Sequence, residues 1–389
     1  LSGLNKMNAN WNYPTSVRTG AGRVGELADI CRNLNMKAPL LVTDPGLAAL
    51  PMVKNIIANC AKSGLTVTVF SNIKPNPTGT NVNDGIEVYR AGNHDGVIAF
   101  GGGSGLDAAK AIAVAANQTC SLWDLEDIGD NWLNADPAKI PPIIGVPTTA
   151  GTGSEVGRAS VIVNEAEHKK AIIFHPKMLP AVVILDPELT VGLPAGLTAA
   201  TGMDALSHNL EAFCSKVYHP MAEGIAIEGI RLVKEFLPTA VADGSNIEAR
   251  TQMLVASAMG ATAFQRGLGG MHALAHPLGA IYDAHHGMLN AILMPYVLKA
   301  NYAEIKTPIV RLARYLDLEP DFDAFLNWVL ALRAQLGIPA KLSAIIPDDA
   351  RLSEIGAMAE IDSAAGTNPI LHDAATYAAI AKRAFHGEL

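Results

Sequence analysis

The sequence predicts an α/β half built on a parallel sheet, followed by an all-helical half. Three observations carry that prediction. Short apolar runs alternate with helix-spaced segments from about Pro39 to Ala116, the pattern of a parallel sheet with covering helices. After Leu193-Pro194 the β signals fade and the remaining segments read as helices. The length of 389 residues is two to three times that of a typical domain.

The elements follow in order. Leu40-Leu41-Val42-Thr43 is a short strand closed by the turn residues Asp44-Pro45-Gly46. Residues 52–63 have helical spacing and stop at Gly64, and residues 65–70 alternate Thr and Val as a strand. Residues 81–91 read as a helix closed by Gly92, 97–100 as a buried strand, and 104–117 as an Ala-rich helix. Further strands are expected at 143–146, 160–163, 171–174 and 181–185. Helices are expected at 198–215, 221–236 and 247–264. The boundary falls at about residue 192, giving domains over 1–192 and 193–389, with a cleft between them as the default ligand site.

Composition narrows the function classes. At 49% hydrophobic and 17% charged the chain buries a sizeable core and is not a disordered polymer. Four dispersed cysteines, Cys31, Cys60, Cys120 and Cys214, form no CxxC and no disulfide scaffold, which suits a reducing cytoplasm. A net charge of -8 offers no attraction to nucleic acid or to an anionic membrane. The best candidate for a membrane span, residues 97–117, is interrupted by three consecutive glycines, Asp107 and Lys110 and cannot span a bilayer. Residues 1–12 contain no apolar export core, so a cytoplasmic location is expected, although the missing initiator Met leaves an upstream leader open.

Two turns are candidates for binding a phosphate-bearing ligand. Gly101-Gly102-Gly103-Ser104-Gly105 joins a strand to a helix, where bare amides and the helix N-terminus favour an anion, and Ser104 is placed either to cap the helix or to donate to a phosphate. It is neither GxGxxG, because Leu106 stands where the last glycine would be, nor a Walker loop. Pro147-Thr148-Thr149-Ala150-Gly151-Thr152-Gly153-Ser154-Glu155 follows another strand and offers hydroxyls and amides. Both lie at strand C-termini, the ligand-binding edge of open α/β sheets. The acidic residue placed to hold a ribose is Asp44, which precedes the glycine turn and would repel a 2′-phosphate, favouring NAD over NADP. Asp44 also reads simply as the first residue of an Asp-Pro-Gly turn.

The second half carries a histidine cluster. Of eleven histidines, four fall at His272, His276, His285 and His286. Asp204 and His208 are i and i+4 on one expected helix, as are His272 and His276, so each pair shares a helical face. One carboxylate with neutral imidazoles and no thiolate is a ligand set for Zn²⁺ or Fe²⁺. Spacing alone leaves open whether His272 or His276 pairs with His286.

Together these segments resemble the iron-containing (group III) alcohol dehydrogenase family. The resemblance runs through GGGSxxD at Gly101 to Asp107, TTAGTGSE at Thr148 to Glu155, GxDALxH at Gly202 to His208 and GxxHAxAHPLGAxxxxxHGxxNA at Gly269 to Ala291. Asn76-Pro77-Thr78, Leu185-Asp186-Pro187 and Asn368-Pro369 add to it. It implies a dehydroquinate synthase-like architecture, with a Rossmann-like dinucleotide-binding half and an all-α metal-binding half, commonly a homodimer. It implies metal ligands at Asp204, His208, His272 and His286, with His276 beside the site as a proton relay. For NAD it implies Asp44, Asn76, Gly102, Gly103, Ser104, Thr148, Thr149, Thr152, Val161 and Lys170. The expected activity is metal-dependent, NAD-linked interconversion of a small alcohol and its aldehyde or ketone, with Fe²⁺ ahead of Zn²⁺. Zinc polyol dehydrogenases of the glycerol dehydrogenase type and dehydroquinate synthases share the architecture, and a metal-dependent hydrolase is the alternative from another class. One departure is His285, which stands where the family often has Pro.

Overall fold

Alternation along each strand shows how the first half is layered. The computed structural model describes Tyr13, residues 15–167 and residues 169–389; the segment 1–12 read above for an export signal lies outside the described residues. Leu40 and Val42, Val97 and Ala99, and Ile143 join one buried cluster. Leu41, Ile98, Phe100, Ile144 and Val146 join another. Successive side chains leave a strand on opposite faces, so these strands are buried on both sides.

The six strands are β1 (Ser16–Thr19), β2 (Leu40–Val42), β3 (Thr68–Phe70), β4 (Val97–Gly101), β5 (Ile143–Pro147) and, after a hairpin, β8 (Val182–Leu185). Their order is β1-β8-β5-β4-β2-β3 and every pairing is parallel. Helices α1 (Leu27–Asn33), α2 (Pro45–Ala49), α3 (Pro51–Lys62), α4 (Gly79–Ala91) and α5 (Gly103–Ala115) connect them. Residues from α1 and α3 cover one face, and residues from α4 and α5 cover the other. Sequence order runs from β2 outward to β3, then returns to β4 on the other side of β2. The connections therefore diverge between the C-terminal ends of β2 and β4, the kind of point where open sheets bind ligands.

Three local expectations change. Residues 65–67 are not strand, because the Leu65 amide donates to the Cys60 carbonyl (2.9 Å) and finishes the turn after α3. The strands β6 (Ala159–Asn164) and β7 (Lys169–Phe174) do not extend the parallel sheet; they form a separate antiparallel hairpin. The edge strand β1 and helix α1 were not among the expected elements, and β1 is only four residues long.

The chain divides into two compact units, Tyr13–Gly192 and Leu193–Leu389. The second is built from α6 (Ala195–Cys214), α7 (Pro220–Ala242), α8 (Ile247–Ala263), α9 (Gly270–Tyr282), α10 (His286–Ala300), α11 (Tyr302–Tyr315), α12 (Phe322–Gln335), α13 (Leu352–Glu360) and α14 (Ala374–His386). Helix α6 is buried along nearly its whole length and packs on α7, α8 and α10, while α10 packs on α9. The approach of α10 to α6 depends on Gly287, where a Cβ would lie 2.4 Å from the Ala200 carbonyl oxygen. No described helix is long and apolar enough to cross a membrane.

Candidate functional sites

Helix α6 presents Asp204 and His208 one turn apart, both buried. Helix α9 brings His272 against them, and α10 adds His286 as its first residue. One ligand atom from each of the four lies within 4.8 Å of the others. His285 explains itself here: its exposed ring is the N-cap of α10, with Nδ1 accepting from the Met288 amide at 3.4 Å. That capping fixes where the helix starts and therefore where His286 points.

Electrostatics prepares the four groups for a cation. Burial pushes the His272 and His286 imidazoles well below their ordinary pKa, so each presents a neutral nitrogen. Burial alone would raise the Asp204 carboxyl, but His208, His286, His272 and a hydrogen bond from Asn290 bring it down to about 2. The Asn290 Nδ2 lies 2.9 Å from Asp204 Oδ1, 3.2 Å from His272 Nε2 and 3.1 Å from His286 Nε2. Its own Oδ1 is buried without a hydrogen-bond partner. An amide nitrogen has two hydrogens, so it cannot satisfy all three acceptors. Lone pairs from three ligand residues thus converge on one small region, an arrangement that fits a divalent metal ion.

Two carboxylates stand behind the histidines of α9. Glu211, on the same helix as Asp204 and His208, is buried, with Oε2 2.6 Å from His272 Nδ1. It also accepts from the amides of Gly269 (2.8 Å) and Met271 (2.6 Å), and burial pushes its carboxyl up to about 7. Asp362 lies with Oδ2 2.9 Å from His276 Nδ1. The His276 ring stacks on His286 at 5.5 Å between centroids and meets the edge of His272 at 5.8 Å. His276 is outside the four-residue group.

The α/β unit carries the other expected residues after the strands β2 to β5 and on the separate β6–β7 hairpin. Gly102 is the N-cap of α5, so Ser104 sits inside the first turn and does not cap it. The amides of that turn have no carbonyl one turn back to bond. The threonine loop packs against this turn: Thr148 donates its amide to the Gly101 carbonyl at 2.9 Å, and a Cβ on Gly103 would lie 2.7 Å from Thr152 Cγ2. Gly103 is therefore glycine for close loop packing as well as for any approaching ligand. Asp44, at the end of β2, is the N-cap of α2, with Oδ1 accepting from the Leu47 amide at 2.9 Å. The turn reading of Asp44 is realised, and it engages one of the two carboxylate oxygens.

Asn76 follows β3 with a left-handed backbone, and its Oδ1 accepts from Lys170 Nζ of β7 at 2.8 Å. Val161, on β6, donates its amide to Asp107 Oδ2 at 3.0 Å. Asp107 Oδ1 also accepts from Ser154 Oγ at 2.5 Å, so this single carboxylate ties α5, the threonine loop and the hairpin together. Lys110, fully buried one turn further on, donates to the carbonyls of Ser154 (2.9 Å) and Ala159. Burial lowers its pKa.

Sequence reasoning gave no roles to Glu211, Asn290, Asp362 or Lys110. Glu211 had a usable signal, since it lies three residues after His208 on the same helix. Asn290 had one too, lying four residues after His286. Asp362 had none, because its partner is 86 residues away.

Comparison with known proteins agrees in both halves. Residues 14–187 match the family model described as iron-containing alcohol dehydrogenase. Residues 198–385 match the C-terminal model of the Fe-containing alcohol dehydrogenase family. A 4-hydroxybutyrate dehydrogenase of Cupriavidus necator is 39% identical, over 94% of this chain and 97% of its own. The crystal structure of a 1,3-propanediol oxidoreductase superposes with a TM-score of 0.92 at 35% identity, covering 97% of this chain and 100% of that one. A sulfoacetaldehyde reductase from Bifidobacterium kashiwanohense, solved in complex with NAD⁺, gives a TM-score of 0.87 at 30% identity, covering 97% of this chain and 99% of that one.

Proposed function

The chain belongs to the iron-containing alcohol dehydrogenase family and is an NAD-linked alcohol oxidoreductase, and we propose how its residues divide that work. Asp204, His208, His272 and His286 hold a divalent metal, and the observation that carries this is the convergence of their four ligand atoms. We place Fe²⁺ ahead of Zn²⁺, because four protein donors plus a substrate oxygen exceed the tetrahedral number zinc prefers. When bound, the metal supplies Lewis acidity to the substrate oxygen and NAD accepts the hydride.

The chain's own residues orient and relay. Gly102, Gly103 and Ser104 offer first-turn amides and a hydroxyl to the cofactor phosphates, with Thr148, Thr149 and Thr152 beside them. Asp44 keeps one carboxylate oxygen for ribose hydroxyls while the other caps α2, and its charge disfavours a 2′-phosphate. Asn76, Val161 and Lys170 complete the cofactor set, held by the hairpin. His276 passes the substrate proton, with Asp362 holding its Nδ1 so that Nε2 is available. The division at Gly192 supports a cofactor-binding half and a metal-binding half. A homodimer in a reducing cytoplasm belongs to the same proposal; four cysteines without a disulfide support the compartment.

The substrate class proposed is short alcohols, diols and hydroxyacids with their carbonyl partners. The test follows absorbance at the NADH band over such a panel, in both directions, with NAD and NADP in parallel. Metal-dependent NADH formation on at least one alcohol, weaker with NADP, is expected. No turnover of any alcohol or aldehyde, with hydrolysis of an ester or phosphate instead, would refute the assignment.

A further inference from the structure

Glu211 lies behind the four-residue group and meets it at His272. Three N–H donors, from Gly269, Met271 and the His272 ring, converge on its two oxygens, and the carboxylate is 4% exposed. A carboxylate has four lone-pair sites and no proton, so it accepts all three bonds without conflict. One chemical consequence follows. The His272 proton is held on Nδ1, which leaves Nε2, the nitrogen 3.2 Å from Asn290 Nδ2 at the centre of the group, as a lone pair for a metal.

We propose that Glu211 is a positioning residue for the metal, fixing the tautomer and orientation of His272. The inference rests on the metal reading above. It also explains why Glu211 caps α9 as it does: the same contacts that anchor the helix start fix the height and rotation of His272 on it.

Capping must be separated from metal positioning, and the fold provides the control. Asn368 Oδ1 accepts the Gly270 amide at 2.9 Å, at the same end of α9, and the other hydrogen bonds described for Asn368 go to Asn301 and Ile370. The experiment measures the metal dissociation constant of the full chain by chelator competition, with Fe²⁺ under anaerobic conditions and with Zn²⁺. It compares the parent with Glu211→Gln, Glu211→Asp and Asn368→Ala, each checked by the thermal midpoint of the metal-free protein. Glu211→Gln is expected to weaken binding about 10- to 100-fold. Glu211→Asp, which keeps the charge at shorter reach, should fall between, and it carries the test if the Gln variant does not fold. Asn368→Ala should lower the midpoint yet hold metal within about threefold of the parent, a loss of at most about 0.7 kcal/mol. Equal affinity in parent and Glu211→Gln would overturn the proposal alone, as would equal weakening by Asn368→Ala. A parent that takes up neither metal would overturn both this proposal and the metal reading.

Discussion

His272 and His276 stand one turn apart on α9, and each directs Nδ1 to a carboxylate, yet their surroundings give them different chemistry. The His272 side chain is 2% exposed and backed by a carboxylate that is 4% exposed, so its proton has no route to water. The His276 side chain is 30% exposed and its partner Asp362 16%, so that ring can exchange a proton with solvent or substrate. His276→Ala is therefore expected to retain a full complement of metal while turnover falls by about 10²-fold or more. Asp362→Asn keeps the imidazole but removes the charge that orients it, and should slow turnover less at the same metal content. Measuring kcat and metal per chain side by side decides it, since loss of metal from His276→Ala would make that residue a ligand instead.

At the scale of elements, the four-residue group exists because three helices, α6, α9 and α10, approach closely enough to share it. Helix α10 lies against α6 with no room for a side chain at Gly287, whose Cβ would meet backbone at Ala200 and lie 3.2 Å from the Asp204 Cβ. Backbone cannot rotate away as a flexible side chain would. Gly287→Ala should push α10 outward and carry His286 away from Asp204, which it now approaches to 3.5 Å. The expected cost is about 1–3 kcal/mol of stability together with weakened metal retention. Thermal melts and metal content check it; unchanged values in both would show that α10 can shift without disturbing the group. In the α/β unit the corresponding element is the Asp107 carboxylate, which ties α5, the threonine loop and the hairpin together at the edge proposed for the cofactor.

For the molecule as a whole, the two units should respond differently to removal of the metal. The proposed ligands come from α6, α9 and α10, all in the unit Leu193–Leu389. A metal that binds the folded chain stabilises it by mass action, about 2.7 kcal/mol at a free concentration 100 times Kd. Chelation is therefore expected to speed amide hydrogen exchange in those three helices while leaving β2, β4 and β5 as protected as before. Exchange followed by mass spectrometry resolves the segments, and uniform loosening of both units would argue against a metal confined to the helical one.

Much of this was legible in the chain. Short continuous apolar runs marked β2, β4 and β5, because a strand buried on both faces is apolar throughout, and helical spacing marked α5 and α6, because burial along a helix repeats locally in sequence. The pairs Asp204 with His208 and His272 with His276 were visible for the same reason, as i and i+4 on one face. The two glycine- and threonine-rich turns announced themselves by composition. What the spacing left open was decided by contacts between segments far apart in the chain. Folding grouped His272 rather than His276 with His286, paired β6 with β7 outside the parallel sheet, and set Glu211 and Asp362 behind the two histidines. It also gave Asp44 a cap to make and His285 another. Local periodicity records which way a side chain faces; which distant group it meets is fixed only when helices and strands pack.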